Sequence, residues 1–146
     1  MIPETGPYLK TAVFCDQVIE GKDGVLSLVR AIDRLTITAG GPGAPEAMPE
    51  VRRPLKLVLM LVSGRARGGQ NLEVKIETPD GTIGPWWSSR ILFEGEDRGA
   101  NVVLEVEQEF RFEGLYWFHL LLEGNQLTRI PFRVIYQRIA PGSQLR

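Results

Sequence analysis

Cys15 and His119 are the two side chains in this chain best suited to nucleophilic or acid–base chemistry, and each is the only residue of its type. A catalytic thiol needs a base within hydrogen-bonding reach. His119 alternates with Trp117 and Leu121 in the apolar run 115–123, which reads as mid-strand rather than loop. Cys15 lies in an apolar segment and reads as a buried small hydrophobe. The expectation is that they form no catalytic pair and that the protein is not an enzyme. One Cys and one His also exclude a disulfide framework and any zinc site built from several such ligands.

The carboxylates offer a different chemistry. Glu105, Glu107 and Glu109 fall on every second residue, which places them about 7 Å apart on one strand face. Three like charges there could gather a hard cation or a basic partner. Cross-strand neutralisation by Lys or Arg is the expected outcome. The acidic stretch Glu94-Gly95-Glu96-Asp97 resembles a calcium loop more closely, since calcium takes several oxygens from flexible segments. A full site draws Asp residues from two loops, and only Asp97 and Asp80 are at hand. An ordinary acidic turn and no bound cofactor are expected.

Anion binding has little support. Gly40-Gly41-Pro42-Gly43 lacks the following Lys-Ser/Thr and the helix start of a phosphate cradle. Arg65-Ala66-Arg67-Gly68-Gly69 is basic and flexible, but no aromatic residue is interleaved for base stacking.

Two aromatic features are more promising. Trp86 and Trp87 are adjacent, and in an extended chain successive side chains point oppositely. One ring is therefore expected inside and the other at least partly exposed, as a candidate platform for a sugar ring or a protein partner. In the run 115–123, Tyr116, Phe118, Leu120 and Leu122 supply one apolar face. The opposite face carries Leu115, Trp117, His119 and Leu121, where an open sheet surface is normally polar. Either the Pro-rich segment 40–54 covers that face, or another chain does, in a homodimer or with a partner protein.

The elements that must position these groups are strands. Segments 9–19 and 25–37 flank a Gly-containing hairpin connection at 20–24. The parity of Leu26 and Leu28 against Val29 and Ala31 calls for a bulge or break near Arg30. Four prolines and three glycines in 40–54 make that stretch a surface crossing between sheets. Residues 55–63 are nearly all apolar, as in a strand covered on both sides. In 71–78, Leu72, Val74 and Ile76 alternate with Glu73, Lys75 and Glu77, and the residues between, 64–70, read as a flexible loop. Pro79-Asp80-Gly81-Thr82 makes a turn. A weaker strand is read at 88–93. A strong one follows at 101–112, with Val102, Leu104, Val106, Phe110 and Phe112 on one face and Gln108 as the lone polar interruption. Segments 115–123 and 127–137 close the chain as a hairpin, and Pro131 places the last strand at an edge near that residue.

Seven or eight strands with no helical period imply an antiparallel β-sandwich, with a closed barrel as the alternative. At 146 residues and 43% apolar composition, a single domain over 1–146 can bury its own core. The 17 basic against 18 acidic residues, a net charge of −1, remove the electrostatic case for a general nucleic-acid binder. No apolar stretch exceeds residues 57–62, so no membrane-spanning helix is expected. The N-terminus lacks a basic region followed by a hydrophobic core, and a cytoplasmic location is expected.

Phe14-Cys15-Asp16, then Lys22-Asp23-Gly24-Val25-Leu26-Ser27-Leu28, then Ile32-Asp33-Arg34-Leu35, resembles the opening of a family of small uncharacterised bacterial proteins. Gly114-Leu115-Tyr116-Trp117-Phe118, Gly124 and Ile130-Pro131-Phe132-Arg133-Val134 are similar to the end of the same family. The family is without assigned activity, and the resemblance implies an immunoglobulin-like or C2-like all-β sandwich with no catalytic residues to carry over. The expected function is a protein-interaction or accessory module, with a carbohydrate- or small-ligand-binding sandwich as the alternative.

Overall fold

A computed structural model describes residues 6–139. Among them the chain forms seven strands and no helix: β1 (Tyr8–Glu20), β2 (Leu26–Ile32), β3 (Arg34–Gly40), β4 (Val51–Glu77), β5 (Ile83–Phe110), β6 (Gly114–Leu122) and β7 (Asn125–Ile139). The ladder runs β2-β1-β4-β6-β7-β3, with β5 on β4, and every pairing except β3 with β7 is antiparallel. Edge strands β2 and β3 do not pair, so the path is open and not a closed barrel.

Two very long strands fold this path into two layers. Residues 51–62 of β4 pair with residues 99–110 of β5, and 56–62 also with β1, while residues 67–77 pair with 83–94 of β5, and 72–77 also with β6. The stretches 64–70 and 94–97, read from sequence as a loop and a turn, are instead the bend where these strands pass from one layer to the other. Gly64 faces Glu96, Arg67 faces Glu94 and Gly68 faces Phe93, with register shifts on both sides of Gly64. The bend needs left-handed backbone, and Gly95 (φ 92°) and Gly68 (φ 96°) supply it without a Cβ clash. The separate strand expected at 88–93 is therefore part of β5.

The layers close on aromatic rings. Phe14 of β1 meets Phe118 of β6 at 4.9 Å and Phe132 of β7 at 5.1 Å between centroids, and Phe110 of β5 meets Tyr116 at 5.3 Å. Such edge-to-face pairs add about 0.5–1.5 kcal/mol each beyond area burial. Leu57 and Leu59 face this core and Val58 faces the other way, yet all three are 0% exposed, as a two-sided strand requires.

Asp33 carries the chain from β2 in the first layer to β3 in the second. Arg30 does take a left-handed φ of 55°, but the β1–β2 register is the same on both sides of it, so it is a local kink and Val29 and Ala31 simply point outward. The segment after β3 crosses back as expected. It does not lie over the outer face of β6. Met48 enters the core, the Tyr136 hydroxyl donates to the Pro45 carbonyl at 2.6 Å, and Arg138 donates to the Ala44 carbonyl at 3.2 Å. Tyr136 and Arg138 share the inward parity of Phe132 and Val134, so this segment plugs the gap between the layers. Pro54, read as its last residue, lies inside β4 opposite Glu107, below the point where β1 begins to pair.

Pro131 pairs with Trp117 on β6 and has no β3 neighbour. The Arg133 amide donates toward β3, to the Asp33 carbonyl at 3.1 Å, so the missing amide of Pro131 points where no strand could receive it. Phe112 lies beyond the end of β5 and is exposed, rather than sharing the inner face. Its carbonyl accepts a 2.7 Å hydrogen bond from the Tyr116 hydroxyl, the tyrosine-corner arrangement of Greek-key sandwiches.

Candidate functional site

In β6 the alternation is complete: Tyr116, Phe118, Leu120 and Leu122 are buried against the core, and Leu115, Trp117, His119 and Leu121 are half-buried on the outer face. Register places Trp117 between Glu77 and Pro131, His119 between Lys75 and Arg129, and Leu121 between Glu73 and Gln126. The cover is thus made by long neighbouring side chains. The Arg129 guanidinium carbon stands 4.1 Å from the Trp117 ring centre, and the His119 Nε2 lies 2.8 Å from Glu77 Oε1, with the two side chains 15% and 26% exposed. A cation over a partly wet indole contributes about 0.5–1 kcal/mol. The result is an apolar row flanked on both sides by charge.

Trp86 and Trp87 do not divide between inside and outside. Lys75 pairs with Pro85 and Val74 with Trp87, so β5 spends one more residue than β4 and Trp86 is the extra one. The bulge lets both rings pack against the core. Trp86 meets Phe118 edge-on at 4.9 Å, and its indole N–H donates to Gln108 Oε1 at 2.9 Å. Gln108, the polar interruption in an apolar face, is the partner that this indole requires. Both rings are half-buried.

Cys15 is 1% exposed on the outer face of the first layer beside Val58, and burial pushes its thiol above the ordinary range. His119 lies on the outer face of the second layer. The full thickness of the sandwich separates them, about 10 Å between sheet planes alone.

Two of the three glutamates in the row face a base, and Glu107 stands across from Pro54. Glu105 stands across from Lys56 and Glu109 across from Arg52, whose guanidinium reaches it at 3.7 Å; Arg111 reaches Glu109 at 3.2 Å. A hydrogen bond with Glu109 pushes Glu50 above the usual carboxylate range and holds Glu109 below it. At the bend, Glu94 pairs with Arg98 at 2.9 Å and Glu96 with Arg67 at 3.9 Å. Asp80 belongs to the opposite end of the hairpin, where its carboxylate accepts from the Thr78 hydroxyl and the Thr82 amide, which hold it below its usual range. About fourteen residues of strand separate it from Glu94, so it is not a partner for that loop. Among the described residues no three His, Cys, Asp or Glu side chains are grouped as metal ligands.

The sequence reading missed a groove. A depression of about 310 Å³ is lined by Asp33, Arg34, Leu115, Pro131 and Arg133, and a larger open one of about 570 Å³, where β2 and β3 part, shares Asp33 and Arg34 with it. Three of the stretches that carry the family resemblance, 32–35, 114–118 and 130–134, meet at this place. Their pairing through β6, β7 and β3 was the signal that linear inspection could not use.

The fold and this face define an all-β, mainly antiparallel sandwich domain with an apolar, charge-flanked outer surface. The chain belongs to a family of unknown function (DUF6941), whose model matches residues 10–135. No curated protein sequence matches it. Among solved structures, an immunoglobulin-like protein from Pseudomonas aeruginosa is similar at 13% identity and a TM-score of 0.42, over 90% of this chain and 98% of that one. A β-glucosidase 3B from Thermotoga neapolitana, solved with glycerol, is similar at 16% identity and a TM-score of 0.44 over 84% of this chain, which spans 16% of the length of that one. An alkylpurine DNA glycosylase from Pseudomonas fluorescens, bound to abasic-site DNA, gives 15% identity and 0.38, over 68% of this chain and 27% of its own. Identities this low transfer no activity.

Proposed function

We propose that this domain is a non-enzymatic protein-interaction module and that the outer face of β6 is its contact surface. The observation that carries the reading is the row Leu115, Trp117 and Leu121, half-buried on a sheet face that no loop among the described residues covers, bordered by Lys75, Glu77, Arg129 and Arg133. An apolar centre holding a Trp, inside a charged rim, is the anatomy of a protein contact. The separation of Cys15 from His119 supports the non-enzymatic part. No helix among the described residues is long and apolar enough to cross a membrane, so a helical anchor plays no part in this reading. The packing of Trp86 and Trp87 against the core favours a protein partner over a sugar.

Leu121→Arg tests it. The expected result is a protein that stays folded, with a near-native unfolding midpoint, and loses self-association or partner binding in sedimentation and pull-down measurements. Unfolding of Leu121→Arg, with wild type monomeric at high concentration, would show that the face is core and sink the proposal.

A further inference from the structure

The outer face of β6 is electrically lopsided, and this bears on what can dock there. Alternate residues of β7 and the parallel pairing with β3 place Arg129, Pro131, Arg133 and Arg34 on this face, in order away from Trp117 and toward the edge. Arg34 has Asp33 at 3.6 Å, with both side chains mostly in water. Arg129 spends its guanidinium on the Trp117 ring. Arg133 is exposed and has no acidic side chain within ion-pair distance among the described residues. Glu73 and Glu77 lie on β4 at the far side of the row, beside Lys75, and Glu77 is engaged by His119, so Asp33 is the one acid among the described residues that lines the groove. Two guanidinium groups, of Arg34 and Arg133, therefore line a groove of about 310 Å³ whose apolar walls are Leu115 and Pro131 and whose carboxylate, Asp33, lies beside Arg34.

We propose that this groove binds an acidic segment of a partner protein, with an apolar side chain seated against Leu115 and Pro131 and carboxylates on Arg34 and Arg133. The inference rests on the interaction-module reading above and deepens it. Planar guanidinium forks match carboxylates two bonds at a time, and Arg133, which has no acidic partner among the described residues, gains one on binding without losing an old one, while Arg34 adds to a loose, solvent-exposed pair with Asp33. A second copy of this chain fits poorly as the occupant. In its richest acidic row, Glu105 already faces Lys56 and Glu109 is held by Arg52 and Arg111, which leaves Glu107 alone opposite Pro54.

The test is selection from a phage-displayed random dodecapeptide library on the full chain, followed by anisotropy measurements with the selected peptides. The expected peptides carry a surplus of Asp and Glu beside one large apolar residue. Their affinity should fall about tenfold or more for Arg133→Glu and for Arg34→Glu, weaken with added salt, and recover on Arg133→Glu when a peptide Glu is changed to Lys. Both Arg side chains are exposed, and an unchanged unfolding midpoint confirms that each variant is folded. Neutral or basic peptides that lose binding on Trp117→Ala would overturn the acidic specificity and leave the interaction module standing. If no selected peptide responds to Trp117→Ala or to either charge reversal, both readings fall. Tighter binding of a DNA duplex than of the selected peptides, or concentration-dependent self-association abolished by Arg133→Glu, would replace the proposed occupant and overturn it.

Discussion

Tyr116 shows how one side chain secures a strand entry. Its hydroxyl donates to the Phe112 carbonyl at 2.7 Å and accepts from the Phe112 amide at 3.3 Å, and burial pushes its phenol above the ordinary range. Tyr116→Phe keeps the ring in the core and removes the bond. It should cost about 0.5–1.5 kcal/mol in urea unfolding, and an unchanged midpoint would show that the corner contributes nothing. Cys15 gives a pH signature. Burial raises its thiol pKa, so the folded state holds the proton more tightly than the unfolded chain. Stability from this source is full below the unfolded thiol value and is lost as pH rises through the folded one. Wild type should therefore lose more stability above pH 9 than Cys15→Ala, and parallel pH profiles would contradict this. At this scale the sequence was partly legible. Burial of Cys15 followed from its apolar neighbours, but the joint packing of Trp86 and Trp87 did not, because strict alternation fails at a bulge that only the pairing of β4 with β5 reveals.

The long hairpin of β4 and β5 is the element on which the sandwich turns. Strands of 27 and 28 residues are far longer than a sandwich layer can use, so both must bend at one level. Gly95 bends with a φ of 92°, and a Cβ there would stand 2.7 Å from the Arg67 guanidinium carbon. Arg67 in turn donates to the Glu94 carbonyl at 3.1 Å. Gly95→Ala should cost about 1–2 kcal/mol in urea unfolding, from the left-handed backbone before any displacement of Arg67. A neutral result would show that the bend tolerates an ordinary residue. The glycines at 64–69 and 95 were visible in the sequence as punctuation and were read as ends of strands. Glycine permits a turn and a bend alike, and which one forms depends on whether a partner strand continues beside it.

For the whole molecule, cohesion depends on rings shared between layers. Phe118 touches Phe14 at 4.9 Å, Trp86 at 4.9 Å and Phe132 at 6.5 Å, so it joins β1, β5, β6 and β7. Phe118→Ala should cost about 3–5 kcal/mol. Because β4 and β5 run through both layers, wild type should unfold in a single transition by intrinsic fluorescence and far-UV circular dichroism. Separate transitions by the two probes would mean that the layers fold independently.

The all-strand character, most of the inward faces, the edge position of Pro131 and the apolar outer row of β6 followed from residue order alone, while the division of those segments into seven strands did not. Period-two patterning is local, and a proline amide is missing in any fold. What only the tertiary structure decided is how those faces meet. Residues 32–35 and 130–134 lie about a hundred positions apart, and their approach to Leu115 depends on β3 crossing at Asp33 to pair in parallel with β7. No local preference specifies that pairing. It is set by which unpaired edge remains after β4 and β5 have bent and the aromatic core has closed, and that is a property of the assembled layers.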